Sequence, residues 1–245
     1  MMDFLTVLWP DLLILRRRLA RYLLTTLISP LLYLLAFGWG LGRGVNMGGT
    51  SYLEFVIPGI MAAAAMTASF NGAGTKLNVD RLFYKCFDEL MMAPLSPWSI
   101  VLGKALIGVV RGLVTAAAFW LVAYLISSGF TPGIWFLMVI ILSCFLFAFL
   151  GVLAAFLARS HEDMATFSTL FLLPMTFLGG TFFSLAGVPR GVRFVLYLLP
   201  LSHVTSTLRA LALGWPFPWP SLAVMVALTV AFSLACLAAV RRSSV

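Results

Sequence analysis

Ile134–Ala158 reads IWFLMVIILSCFLFAFLGVLAAFLA, an unbroken apolar run without one charged side chain, closed by Arg159. A helix needs roughly 20 such residues to cross about 30 Å of hydrocarbon, so this stretch alone is long enough to span a bilayer. Working outward, five more runs meet the same standard: Tyr22–Leu41, Phe55–Gly74, Val101–Ser127, Met164–Phe183 and Ser221–Val240. None alternates apolar with polar residues as the strands of a membrane barrel do. The chain is therefore expected to be an all-α polytopic membrane protein, six transmembrane helices forming one domain over residues 1–245. Composition agrees, since 62% hydrophobic and 10% charged residues with a mean hydropathy of +1.06 lie outside the range of soluble domains.

The net charge of +8 does not signify nucleic acid, because the basic residues sort by side. With a cytoplasmic N-terminus, six crossings return the C-terminus to the cytoplasm. Eleven of the 16 basic residues then lie inside: Arg16, Arg17, Arg18, Arg21, Lys76, Arg81, Lys85, Lys104, Arg159, Arg241 and Arg242. Arg43, Arg190, Arg193 and Arg209 fall outside, and Arg111 lies within the third span. The excess of Lys and Arg on one side sets this orientation, with both termini cytoplasmic, and the basic flank faces anionic lipid. The first apolar run is too long for a cleaved signal and lacks a small-residue cleavage site, so it is expected to remain as an anchor.

Residues 1–21 read as an interface helix: Phe4, Leu5, Leu8, Trp9, Leu12, Leu13 and Leu15, then Arg16-Arg17-Arg18, with Pro10 kinking it or starting its main helix. Between the second and third spans, Val79–Met92 places Leu82, Phe83, Cys86, Phe87 and Leu90 on one helical stripe, with Arg81, Lys85, Asp88 and Glu89 opposite. Pro94 and Pro97 end it. A short helix lying flat on the inner face is a docking element for a soluble partner. Ser160, with Asp163 three residues on, has the form of a helix cap. On the outer side, residues 184–214 are too apolar for a free loop and are expected to re-enter the membrane as helices Val192–Leu199 and Val204–Leu213, where non-helical backbone must pack on protein or a wet cavity.

Enzyme chemistry is missing. NGAGTK at Asn71–Lys76 lacks the G-x-x-x-x-G-K-[ST] order of a phosphate-binding loop, so ATP hydrolysis is not expected of this chain. No metal site is expected: His161 and His203 fall on opposite sides, and Cys86, Cys144 and Cys236 are scattered. Acids are nearly absent from the spans, which opposes proton- or sodium-driven transport, and no inverted repeat relates the halves. Arg111, seven residues past Lys104, sits about 10 Å deeper along its helix. A central arginine costs about 2.5–3.5 kcal/mol on insertion scales, which calls for either an escape by snorkelling or an anionic contact.

Several strings together resemble the permeases of type-2 ABC exporters. SYLEFVIPG at Ser51–Gly59 is similar to the opening of that family's second span, and APLSPWSIVLGK at Ala93–Lys104 to the start of its third. LLPMTFLGGTFF at Leu172–Phe183 and LPLSHVTSTLRALALG at Leu199–Gly214 resemble the fifth span and outer re-entrant segment, above all in permeases that export nodulation lipo-oligosaccharides, drugs or polysaccharides. The resemblance implies a second copy of the chain, a separate ATP-binding subunit that holds ATP and Mg, and a coupling segment between spans 2 and 3. Carried over, coupling contacts fall on Arg81, Lys85, Phe87, Asp88 and Glu89. Many family members carry an acidic Gly-Thr run there, whereas this chain has Leu82-Phe83-Tyr84-Lys85-Cys86-Phe87. Tyr33, Phe70, Arg111, Phe177 and Phe182 are the expected substrate-path residues, suited to an amphipathic cargo. A membrane scaffold without transport is the rival reading.

Overall fold

The structure, a computed structural model, describes residues 3–41, 46–47, 50–126 and 132–243. Arg43 and Ser127, placed above at the outer ends of spans, lie outside the described residues, as does the side chain of Asp88. The architecture is helical except for one antiparallel pair of two-residue strands, β1 (Asn46–Met47) and β2 (Thr50–Ser51), with Asn46 opposite Ser51. Among the described residues five helices are individually long and apolar enough to cross a membrane: Leu19–Gly38, Tyr52–Leu82, Pro97–Ile126, Ile134–Leu157 and Trp219–Arg242.

Helix α1 (Asp3–Arg17) contains Pro10 in its interior, so the proline does not open it. Its buried face, Val7, Leu8 and Leu15, packs on helix α5 (Pro97–Ile126), where Leu8 and Leu15 join Ile107 in a small core. Leu5, Trp9 and Ile14 remain exposed on other faces, as in a helix lying between protein and an interface. Arg18 breaks the helix, and α2 (Leu19–Tyr33) follows, passing without interruption into a π-helical stretch, Leu34–Leu41.

Helix α3 (Tyr52–Leu82) is the centre of the bundle. Its start is fixed by a reciprocal cap: Ser51 Oγ accepts from the Glu54 amide and Glu54 Oε2 accepts from the Ser51 amide, both at 3.3 Å. Glu54, the one acid near the outer boundary, is used there. Of its apolar window 83% is buried, against 11% for the first span and 22% for α11 (Trp219–Ser243). It packs most extensively on α5 and α6 (Ile134–Leu157). That approach depends on Gly112: a Cβ there would stand 1.9 Å from Ser69 Oγ on α3 and 2.8 Å from Cys144 Sγ on α6. Gly108-x-x-x-Gly112 is the small-residue spacing that lets membrane helices close on one another.

The expected continuous helix over Val79–Met92 is not formed. Helix α3 ends at Leu82, and α4 covers only Cys86–Met92. Lys85 between them has φ 55°, a left-handed conformation that an uninterrupted helix of L-residues excludes. Packing overrides the local pattern here: Phe87 is drawn into the core beside Phe156, ring centroids 5.6 Å apart, while Phe83 is left 79% exposed.

The expected fifth span is a helical run in three pieces, α7 (His161–Phe167), a π-helical stretch Ser168–Leu172, and α8 (Leu173–Leu178). Its start carries the cap read from the sequence, with Ser160 Oγ accepting from the Asp163 amide at 3.0 Å. The run stops at Leu178 instead of Phe183, because Gly180 adopts φ 73° and turns the chain. Its beginning lies beside Asn78, whose Nδ2 donates to the Ser160 carbonyl at 3.4 Å. Beyond its end, the Phe182 carbonyl accepts from Tyr52 Oη at 2.7 Å. The 18 residues of the run itself, His161–Leu178, cover about 27 Å at 1.5 Å per residue. Helices α9 (Arg190–Tyr197) and α10 (Pro200–Leu213) then form a pair bent by 98°, with α10 packed on α3, α6 and α11.

Candidate functional site

A cavity of about 760 Å³ opens between α2, α3, α5 and the α7–α8 run. Hydroxyl-bearing residues recur along its walls: Thr25, Thr26 and Ser29 from α2, Thr67 and Thr75 from α3, Ser168, Thr169 and Thr176 from the broken run, with Tyr22 and Tyr33, and Asn71 beside them in the lining. Thr25, Thr26, Thr67, Thr169 and Thr176 donate their protons to carbonyls four residues back in their own helices. That pattern satisfies hydroxyls in an apolar medium and leaves their oxygens to accept. Apolar wall comes from Ile60, Ala63, Ala64, Leu172 and Leu173. Such a lining suits a molecule with hydroxyl-rich and hydrocarbon parts.

Tyr33 and Arg111 both line this cavity. Phe177 and Phe182 meet Tyr33 in one aromatic cluster, at centroid distances of 6.0 and 5.4 Å, and Phe37 stacks on Phe182 at 4.2 Å. Phe177 and Phe182 are not themselves lining residues, and Phe70 stands apart from both. It is 2% exposed within the α3 core and is not a lining residue.

The Arg111 side chain reaches the cavity over Gly72, where a Cβ would stand 2.8 Å from Arg111 Cδ. The Tyr22 ring lies 5.7 Å from the guanidinium carbon. Tyr22 Oη is within 3.1 Å of the Arg111 carbonyl, to which it donates, and 3.0 Å of Thr115 Oγ1. Arg111 Nε is buried without a hydrogen-bond partner, and no residue lining the cavity is acidic.

Below the cavity four side chains from three helices form a closed ring of alternating charge. Lys76 is paired with Asp80, one turn on, and its Nζ lies 3.3 Å from Asp11 Oδ1 on α1. Lys104 Nζ on α5 lies 2.7 Å from Asp80 Oδ2 and 3.5 Å from Asp11 Oδ2. Asp11, Asp80 and Lys104 are buried. Two acids and two bases cancel, so α1 is tied to α3 and α5 without net buried charge. Sequence reasoning took Lys76 and Lys104 as reporters of topology and passed over both acids. The one local signal was the i, i+4 spacing of Lys76 and Asp80.

Of the five expected coupling residues, two are turned inward. Arg81 Nη1 donates to the carbonyls of Ala155 and Phe156 at 2.6 and 3.1 Å, closing the end of α6, and its guanidinium lies over the Phe156 ring. Phe87 is buried. Lys85 and Glu89 are exposed. Around them Phe83, Tyr84 and Met92 are 79%, 63% and 88% exposed, on a connector that lies between spans.

At the opposite end Arg209, placed outside by the sequence reading, is buried in α10. Its Nε donates to the Phe55 carbonyl at 3.0 Å and its Nη2 to the Thr181 carbonyl at 2.6 Å, with the Phe55 ring 3.8 Å from the guanidinium carbon. It staples the start of α3 to the turn after α8. His203 Nε2 donates to the Tyr197 carbonyl at 2.8 Å and its Nδ1 lies 3.2 Å from Ser221 Oγ, which holds the α9–α10 bend against α11.

Comparison with known proteins places this arrangement. Residues 2–213 match the ABC-2 type transporter family. The chain is 29% identical over 238 residues to Inner membrane transport permease YadH of Escherichia coli (strain K12), covering 92% of this chain and 91% of that protein. It is 31% identical over 205 residues to Nodulation protein J of Neorhizobium galegae, covering 80% and 76%, and 30% identical over 198 residues to Nodulation protein J of Rhizobium meliloti (strain 1021), covering 79% and 75%. In this family the membrane domain is non-catalytic and ATP is used by a separate subunit. The matched region runs from α1 through α10, taking in the cavity, the charge ring and the α3–α4 connector, and the chain belongs to the ABC-2 type transporter family as a multi-pass permease of the inner membrane.

Proposed function

We propose that this permease exports an amphipathic molecule, a glycolipid, polysaccharide or drug-like compound, out across the cytoplasmic membrane, working as two copies with a separate ATP-binding subunit. The cavity carries the reading. It combines hydroxyl-bearing and apolar walls with Tyr33, whose ring meets Phe177 and Phe182, an opening that a scaffold has no use for. Six spans follow when the α7–α8 run, which begins packed beside α3, is counted as the fifth. The bent pair α9–α10 is then an outer re-entrant element, and both termini are cytoplasmic.

In this orientation α1, the charge ring and α4 lie on the cytoplasmic face. Phe83, Tyr84 and Met92, exposed on a connector outside the apolar runs, support docking of the ATP-binding subunit there, with Lys85, Asp88 and Glu89 as polar contacts. Arg81 and Phe87 position α4 from behind. Closure of the ATP-binding subunit would pass through α4 into α3 and so to one wall of the cavity.

Co-purification with candidate ATP-binding proteins, followed by ATPase and transport measurements in vesicles, tests this. Phe83→Asp and Glu89→Lys should each cut coupled ATPase activity by about tenfold or more, as loss of a buried interface anchor does, without lowering the thermal stability of the permease alone. Absence of any ATP-binding partner under every condition would overturn the export reading and favour the scaffold.

A further inference from the structure

We infer that the cavity holds a subsite for an anionic group of its cargo, a phosphate, sulfate or carboxylate borne on an amphipathic molecule, with Arg111 as its cation; this rests on the export reading and names the class of substrate.

The guanidinium is brought to the cavity by a built path. Its stem crosses α3 at Gly72, where no Cβ fits, and the Tyr22 ring flanks its head. A charge at this depth is ordinarily matched by a carboxylate or a set of carbonyls, as Arg81 and Arg209 are here. Arg111 is not: Nε is buried and unpaired, no acid lines the cavity, and no carbonyl accepts from its side chain among the described residues. Lys76, the other cation on the wall, is already neutralised by Asp11 and Asp80. The unbalanced positive charge of the cavity is therefore that of Arg111. On the same cavity wall, Asn71 uses its Oδ1 to accept from Ser168 Oγ at 3.3 Å, which leaves its amide protons as a second donor among the described residues. A guanidinium with an amide donor on the same cavity wall fits an oxyanion through charge-assisted hydrogen bonds.

The test uses the full chain in nanodiscs of uncharged lipid. Three probes share one fluorescent label and a twelve-carbon tail: an alkyl phosphate, an alkyl glucoside and an alkyl ammonium. The wild-type chain should prefer the phosphate to the glucoside by about tenfold or more, the worth of one hydrogen bond to a charged group. Arg111→Gln should abolish that preference with glucoside affinity unchanged, and Arg111→Lys should keep most of it. Asn71→Asp supplies an internal counter-ion on the same wall and should abolish the preference without unfolding the chain, which covers the case of Arg111→Gln failing to fold. Displacement of the alkyl phosphate by millimolar inorganic phosphate would support a site that takes free anions as well. No displacement would support one that takes the anion only on an amphipath.

Equal affinity for all three probes, or a preference unchanged in both Arg111→Gln and Asn71→Asp, would overturn the subsite. ATP-driven transport of the glucoside surviving that result would leave the export reading standing. Conversely, an intact phosphate preference in a chain with no ATP-binding partner would sink the export reading alone.

Discussion

Replacing Lys104 with methionine tests whether the charge ring is what fastens α1 to the bundle. Lys104 Nζ lies 2.7 Å from Asp80 and 3.5 Å from Asp11, and none of the three side chains is more than 7% exposed. The substitution leaves two carboxylates facing Lys76 alone, one buried negative charge without compensation. Removing one member of a buried ion pair costs about 3–5 kcal/mol. At about 2–4 °C per kcal/mol for a chain of this size, the unfolding midpoint should fall by about 6–20 °C. Asp80→Asn combined with Lys104→Met restores neutrality and keeps the Asp11–Lys76 pair. With a coupling of about 0.5–3 kcal/mol between contacting residues, the double variant should therefore recover part of the loss instead of adding to it. The assay is loss of the monodisperse peak after heating in uncharged detergent, for wild type, both single variants and the double. Tryptic cleavage at Arg16–Arg18 should rise in parallel as α1 loosens. A fall of less than about 2 °C in Lys104→Met, below the effect of a single kcal/mol, or a double variant as destabilised as the sum of the singles, would refute the reasoning.

Gly112→Ala drives a methyl group to 1.9 Å from Ser69 Oγ and should cost about 1–3 kcal/mol by overpacking. Ser69→Gly in the same chain should restore most of that, and wild-type stability in Gly112→Ala alone would disprove the contact. The Arg159 amide donates to Asp163 Oδ2 at 2.8 Å and the Ser160 amide does so at 3.2 Å, holding the Asp163 carboxyl below its usual value, with the Arg159 bond the larger cause. A lowered folded value means that this cap contributes fully above the unfolded value, about 3.9, and is lost as pH falls through the folded one. Exchange protection of the two amides, corrected for intrinsic rates, should hold at neutral pH and vanish at strongly acid pH. Asp163→Asn should flatten that profile, and an identical profile in the variant would refute it.

The spans were legible because bilayer thickness imposes length and hydropathy on a contiguous stretch, and no tertiary contact is needed to see Ile134–Leu157. The Ser160–Asp163 cap and the bent outer pair were readable for the same reason, since capping spacing and proline punctuation are local. What escaped was set by partners distant in sequence. Asp11, Asp80 and Lys104 join from α1, α3 and α5, and nothing within any one of those segments announces the others. The break at Lys85 was hidden because Val79–Met92 has sound helical spacing, and only the burial of Phe87 against Phe156 decides against continuing the helix. Phe70 and Phe177 are the same residue type at comparable positions in apolar runs, yet one is core and the other is exposed beside Tyr33. That distinction depends on which neighbours face each side chain. Arg111 stood out in the sequence for its depth, while the notch at Gly72 that admits it could be recognised only with α3 and α5 in place.

The charge ring also sets an order of events during synthesis. Asp11 leaves the ribosome first, Lys76 and Asp80 follow after the second apolar run, and Lys104 emerges last, at the head of α5. Until that last residue appears, the nascent chain carries two acids and one base of the ring, and Lys76 alone can pair with Asp11 of the first helix. The ring is therefore closed only once α5 has been made. A chain truncated before residue 104 would keep one acid of the ring without its base.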